Sequence, residues 1–259
     1  MTTDSTFRKH VLAGELLFGT WVGMGSPMVA EISGRAGFDW IVLDLEHGSV
    51  GEAGLLPMLL AVEGTPAVPL VRVEQASRLR IGRALDLGAR GLVVPQVSNA
   101  EEAREIVSWM RFPPGGRRGV ALPTRGLDYG AGGHASVDAK NQAMVGIFQI
   151  ETREAVAEVE EIAAVDGADV LFVGPADLSH ALGVRGLIDH EDYVAAIRRI
   201  GAAARAHGKA AGTLLWQPDH VRLYRDAGFS FFSVSSDGPI FDRALRQSLA
   251  ATREAADRH

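Results

Sequence analysis

The sequence contains no cysteine, which removes disulfides, thiolate-bound metals and a cysteine nucleophile together. It has no apolar run of the roughly 18 residues that a membrane-spanning helix needs. The segment Met1–His10 carries no apolar stretch of the signal-peptide kind, so a cytoplasmic protein is the expectation. Basic residues are in the minority, 26 against 32 acidic ones, for a formal net charge of −6. No basic stripe is present of the sort that a nucleic-acid backbone demands. Neither a membrane nor a nucleic acid is therefore expected as a partner. What remains is an ordinary globular composition, 47% hydrophobic and 22% charged over 259 residues. That length suits one α/β barrel of roughly 250 residues. No linker, charge run or low-complexity tract divides the chain, so residues 1–259 are expected to form one domain.

One pattern repeats along it. Short apolar runs occupy Leu16–Val22, Trp40–Leu45, Ala67–Val73, Gly91–Pro95, Met144–Ile150, Ala168–Val173, Lys209–Leu215 and Phe229–Val234. They are continuous rather than alternating, as strands of a parallel sheet buried on both faces are. Helical stretches lie between them, including Arg78–Leu87, Ala100–Met110, Thr152–Val165, Tyr193–His207 and Pro218–Ala227. Gly88, Gly208 and Gly228 stand where left-handed helix caps are expected. Eight strands each followed by a helix predict a closed (β/α)8 TIM barrel rather than an open sheet. Ser5–Ala13 is predicted to plug its bottom and Pro239–Ala256 to supply the last helix. Residues 111–143, rich in Gly and Pro, read as a long irregular arm that serves as a functional loop or an interface.

Chemistry is expected where the strands end, because side chains at the C-terminal ends of barrel strands converge on one mouth. The first strand ends near Trp21 and the second in Asp44-Leu45-Glu46-His47. The third ends in Arg72, the fifth in Gln149-Ile150-Glu151, and the sixth runs out through Gly174-Pro175-Ala176-Asp177. Glu151 and Asp177 are 26 positions apart, about one βα unit, so their carboxylates belong to neighbouring strands and could share a cation. Oxygen ligands suit Mg²⁺ or Mn²⁺. Alternatively, the two acids merely cap the helix and turn that follow them. His47 could be a base near neutral pH with Asp44 or Glu46 orienting its ring, or a plain loop histidine. Arg72, at the end of a buried strand, needs an anionic partner. A keto acid would serve, and so would an internal carboxylate such as Glu74 or Asp44. The turn from Gly174 to Ser179 opens a short helix whose backbone N–H groups could hold a carboxylate.

Longer blocks carry a resemblance. They are Phe38-Asp39-Trp40 leading to Asp44-Leu45-Glu46-His47, Pro95–Ala103, Phe112–Gly119, Gln149–Ala155 and Val173–Ser179. In order and spacing the chain resembles the HpcH/HpaI family of metal-dependent, class II pyruvate aldolases over nearly all its length. The resemblance implies a barrel of the phosphoenolpyruvate/pyruvate type with its eighth helix exchanged between partners, and a hexamer built as a trimer of dimers. It further implies that Glu151 and Asp177 bind a divalent metal (Mg²⁺ or Mn²⁺, with Co²⁺ admissible) and that His47 with Asp44 provides the base. Arg72 would then face the keto oxygen, the backbone of Ala176 and Asp177 would hold the substrate carboxylate, and Gly174 and Pro175 would also bind substrate. Gln149 and Trp21 would line the same pocket. The stretch Ala121–Gly130 differs from the loop associated with dicarboxylate-semialdehyde aldolases of the family and resembles that of members accepting varied hydroxylated aldehydes. It is expected to help enclose the aldehyde.

The implied reaction is reversible aldol addition of a pyruvate or hydroxypyruvate enolate to an aldehyde. No lysine stands at the polar strand exits, which argues against the Schiff-base route. Three other possibilities are open at this point: oxaloacetate decarboxylation, a citramalyl-type thioester lyase, and a non-catalytic barrel that binds a keto acid. A thioester lyase should show a basic surface for coenzyme A phosphates, and the sequence has no such cluster.

Overall fold

The computed structural model describes residues 4–258; Met1, Thr2, Thr3 and His259, included in the expected domain, lie outside them. Eight parallel strands close on themselves, β1 pairing with β8. They are β1 (Leu17–Val22), β2 (Trp40–Asp44), β3 (Val68–Arg72), β4 (Gly91–Val94), β5 (Val145–Gln149), β6 (Val170–Val173), β7 (Ala210–Leu215) and β8 (Phe231–Ser236). Each lies within or beside its predicted apolar run, and most of their residues are buried.

Between the strands come α2 (Pro27–Arg35), α3 (Glu52–Glu63), α4 (Arg78–Asp86) and α5 (Ala100–Met110), preceded by α1 (Asp4–Leu12). The chain continues through α6 (Ala135–Ala143), α7 (Arg153–Ala157), α8 (Val159–Ala163), α9 (Pro175–Ala181), α10 (Glu191–Ala206), α11 (Val221–Asp226) and α12 (Asp237–Asp257). Gly88, Gly208 and Gly228 take positive φ as predicted for left-handed caps.

Three elements depart from expectation. The single helix predicted over Thr152–Val165 is broken at Glu158 (φ −104°, ψ 17°) into α7 and α8. The carbonyl of Ala157 accepts from Arg199 Nη2 at 2.8 Å, a long-range contact that local periodicity does not register. The predicted helix over Pro218–Ala227 opens with a 3₁₀ turn at Pro218–His220 before α11. The arm 111–143, expected to be irregular, contains a 3₁₀ segment at Arg125–Gly130 and the helix α6.

The barrel is solid at its centre. Trp40 stacks on Phe231 with ring centroids 4.3 Å apart and planes 6° from parallel. That stack needs Gly19, because a Cβ there would come within 2.1 Å of the Trp40 ring. Below it, α1 inserts Phe7 and Val11 into the same cluster as Leu17, Trp40 and Phe231. Arg8 fixes that helix with two hydrogen bonds of 2.9 and 2.8 Å to the buried carboxylate of Asp169. At the other end of the chain, α12 touches mainly β1 and β8. Only its first residue, Asp237, is buried, while Ile240, Phe241, Leu245 and Leu249 form an exposed apolar stripe.

Candidate active site

A cavity of about 400 Å³ opens at the C-terminal ends of the strands. Of the ten residues singled out from sequence, Trp21, Asp44, His47, Arg72, Gln149, Gly174, Pro175, Ala176 and Asp177 line it. Glu151 is 6% exposed and sits just behind Gly174.

Arg72 is the best-fixed group in the mouth. Asp44 faces it across the β2–β3 register and accepts from Nε at 2.8 Å and from Nη2 at 2.7 Å. Glu46 Oε2 lies 2.8 Å from Nη1, Gln149 Oε1 accepts from Nη1 at 3.5 Å, and the guanidinium carbon sits 4.4 Å from the centre of the Trp21 ring. A planar fork held by a bidentate carboxylate and an aromatic face has little rotational freedom left. An internal carboxylate was one of the two partners foreseen for Arg72, and Asp44 fills that role.

This changes the position of Asp44. Its expected task was to orient the His47 ring. Instead both carboxylate oxygens are engaged by Arg72, and Oδ1 also accepts the backbone N–H groups of Glu46 (3.0 Å) and His47 (3.3 Å). Within the chain these contacts make Asp44 the group that positions Arg72 and the 44–47 turn. The His47 side chain is 72% exposed at the rim, with Glu46 Oε2 at 4.0 Å from Nε2 as its nearby carboxylate.

Glu151 and Asp177 come together around Gly174. A Cβ on that glycine would lie 2.7 Å from Glu151 Oε2, 3.4 Å from Asp177 Oδ2 and 3.6 Å from Gln149 Nε2. The first two distances limit the separation of those carboxylate oxygens to about 6 Å. Glu151 is itself clamped, Oε1 accepting from the backbone N–H of Gln96 at 2.9 Å and Oε2 from Gln149 Nε2 at 2.8 Å. Burial pushes the Glu151 carboxyl above its usual range; the Gln96 N–H opposes that, while the charges of Asp177 and Glu46 add to it. Glu46 is likewise raised by burial, against the pull of Arg72. Carboxylates crowded beside a bare glycine, with one destabilised as an anion, suit a divalent cation. Among the described residues no group of three or more His, Cys, Asp or Glu side chains is placed to hold a metal. What this point of the mouth offers a cation is therefore the Glu151 and Asp177 carboxylates.

Sequence reasoning missed three contributors. Gln96 acts through its backbone, which no residue type reveals, although its φ of 55° marks a strained exit from β4. Asp237 accepts from the backbone N–H groups of Gly23 (3.0 Å), Met24 (2.8 Å) and Gly238 (2.8 Å), joining the β1 and β8 exits. An acid three positions past an apolar run was its visible signal. Trp216, just past β7, also lines the cavity. The stretch Ala121–Gly130, expected near the aldehyde, lies elsewhere in the protomer. Arg125 donates to the carbonyl of Leu87 at 2.8 Å, at the end of the barrel opposite the mouth, and the tight fit of Gly126 on the Leu85 carbonyl holds it there.

The sequence profile of the HpcH/HpaI aldolase/citrate lyase family matches residues 17–244. Over 244 residues the chain is 37% identical to the 5-keto-4-deoxy-D-glucarate aldolase of Klebsiella pneumoniae, covering 94% of each protein. It is 38% identical to the hydroxypyruvate/pyruvate aldolase of Agrobacterium fabrum, covering 94% of this chain and 91% of that one. A crystal structure of an HpcH/HpaI aldolase/citrate lyase family protein from Burkholderia cenocepacia superposes with a TM-score of 0.91 at 36% identity, over 96% of this chain and 99% of the other. With the family's profile spanning most of the barrel and aldolases among its near relatives, this chain belongs to the HpcH/HpaI aldolase/citrate lyase family and is an aldolase of that family.

Proposed function

We propose that the chain, as one catalytic domain, catalyses reversible aldol addition and cleavage of 2-keto acids, with a pyruvate or hydroxypyruvate enolate as nucleophile and an aldehyde as acceptor. The observation that carries this is the pairing of Glu151 and Asp177 around Gly174, beside an Arg72 already locked in place.

Glu151 and Asp177 would hold the divalent cation; Mg²⁺ or Mn²⁺ fits the oxygen donors best, with Co²⁺ a further possibility. When bound, it supplies Lewis acidity toward the keto oxygen, which acidifies the adjacent C–H. The chain's own groups do the rest. The amides at the first turn of α9, Ala176 and Asp177, have no intrahelical acceptor and receive the substrate carboxylate above the side-chain-free Gly174. The Arg72 guanidinium faces the oxygen on which enolate charge develops, and because Asp44, Glu46 and Trp21 hold it, little reorganisation is needed as that charge grows. His47, exposed at the rim, takes the proton from the methyl carbon and returns it in the reverse direction, directly or through a water. Gln149 spaces Arg72 from Glu151 by hydrogen bonds to both.

The exposed apolar stripe of α12 supports a homo-oligomer in which that helix packs on a second copy, consistent with the exchanged helix and hexamer that the family resemblance implies. The site of action is taken as the cytoplasm. No helix among the described residues is long and apolar enough to cross a membrane.

Loss of the pyruvate methyl signal in heavy water, followed by NMR with protein and Mg²⁺, tests the enolate step without an aldehyde. The signal should vanish with time and persist when EDTA is added. A methyl signal untouched by the metal-loaded protein defeats the proposal.

A further inference from the structure

The mouth is divided around its circumference. β2, β3, β5 and β6 deliver most of the polar groups, from Asp44 and Arg72 round to Asp177, whereas the three consecutive exits of β7, β8 and β1 deliver Trp216, Pro239 and Met24 alongside Ser236 and Asp237. Trp216 is 37% exposed and Met24 42%, unlike the deeper aromatic residues Trp21 and Phe172, which are covered. Large apolar side chains left open at the rim of a cavity are the kind of surface a ligand covers.

Among the described residues, the same half of the mouth has no cation. Arg72 is, among the described residues, the only Arg or Lys lining the cavity, and Asp44 and Glu46 already hold it. The ionisable group on this half is Asp237, whose oxygens are taken up by backbone amides. A second carboxylate on the acceptor would therefore find no positive partner and would stand beside a negative one, at a cost not repaid in a partly desolvated site.

We propose that Trp216, flanked by Met24 and Pro239, is the acceptor-side wall, and that it selects uncharged aldehydes with an apolar face over aldehydes bearing a carboxylate. The proposal rests on the aldolase reading. In that reaction the keto acid's methyl carbon gives up a proton and bonds to the aldehyde carbon, whose oxygen takes up a proton. The acceptor's remaining substituent is then the part left to lie on the Trp216 side.

Two acceptors of matched length separate the terms: butanal and 4-oxobutanoate, each with pyruvate and Mg²⁺. Pyruvate methyl exchange, which needs no acceptor, is the reference for every variant. After normalisation to exchange, kcat/KM for butanal should exceed that for 4-oxobutanoate by at least about tenfold, the scale a hydrophobic wall commands. Trp216→Ala should erase most of that ratio through the KM for butanal, Trp216→Phe should keep it, and Trp216→Lys should turn it toward 4-oxobutanoate. Equal use of the two acceptors by the native protein, or a ratio that Trp216→Ala leaves in place, overturns the proposal while exchange stands. If the native protein shows no exchange, the aldolase reading fails and takes this one with it.

Discussion

The barrel opens on a cavity at each end, about 400 Å³ at the mouth and about 430 Å³ at the floor, and the two treat charge in opposite ways. Four cations line the floor with carboxylates beside them: Arg125 with Glu63 at 2.7 Å, Arg118 with Asp86 at 2.7 Å and Lys140 with Asp128 at 3.3 Å, and the charge of Asp128 also favours the cationic form of the buried Arg90. Two of these pairs, Arg125–Glu63 and Arg118–Asp86, run between the arm 111–143 and the helices of the barrel wall, so they fasten one to the other. At the mouth, Asp44 and Glu46 hold the guanidinium of Arg72, whose charge also reaches Glu151, and Asp177 stands with Glu151 around Gly174. Balanced charge is what a fastening needs. Charge left unbalanced against the cost of burial is better explained by a ligand that completes it. Size alone does not separate the two cavities.

Substitution can break or sharpen that contrast. The largest effect is expected at Arg72, because Arg72→Ala removes the donor at the site of developing charge. Its kcat/KM for aldol formation should fall on the order of 10²–10³-fold, and a loss of only a few fold would place the arginine among the fastenings. Next comes Glu151→Gln, which should weaken Mg²⁺ or Mn²⁺ binding at least about tenfold in a calorimetric titration.

The same variant carries a pH signature. Burial raises the Glu151 carboxyl in the folded protein, so without metal its neutral form favours folding. That contribution is complete below the carboxyl's ordinary range and is lost as pH rises through the raised value. In EDTA, thermal unfolding should find Glu151→Gln more stable than the native protein near pH 7, with the gap closing toward pH 4. Saturating metal should reverse the order near pH 7. A gap that grew on acidification would contradict the assigned shift.

The smallest effect belongs to the floor. Arg125→Ala should leave aldol kinetics within a few fold and lower unfolding stability by about 1 kcal/mol, since its partner Glu63 is largely in solvent. A collapse of activity there would show that the arm serves the chemistry, and the contrast between the two ends would fail.

Much of this was legible in the residues themselves. A barrel strand is covered on both faces, so its sequence is a plain apolar run, and all eight were found close to their true bounds. Charged groups at the ends of such runs stand out for the same reason, which is why Asp44, Arg72, Glu151 and Asp177 are visible in the sequence alone. Pairing was less visible. Whether Asp44 would turn to an imidazole or to a guanidinium depends on register, since β3 sets Arg72 directly opposite it. The clamp from Gln96 is a backbone group, and the break at Glu158 answers to an arginine 41 positions further on. The arm's place at the floor was hidden for a similar reason, since contacts such as Arg125 with Leu87 span long stretches of chain.

The Trp40–Phe231 stack has a consequence beyond packing. It closes the bore, so the mouth is a well with one opening, through which reactants, products and water must all pass. A charge placed in that well is backed by hydrocarbon and faces solvent only outward, so its field is screened from one side alone. The two aromatic rings, and the glycine that makes room for them, therefore help set how strongly an arginine and a few carboxylates can pull on a small anion above them.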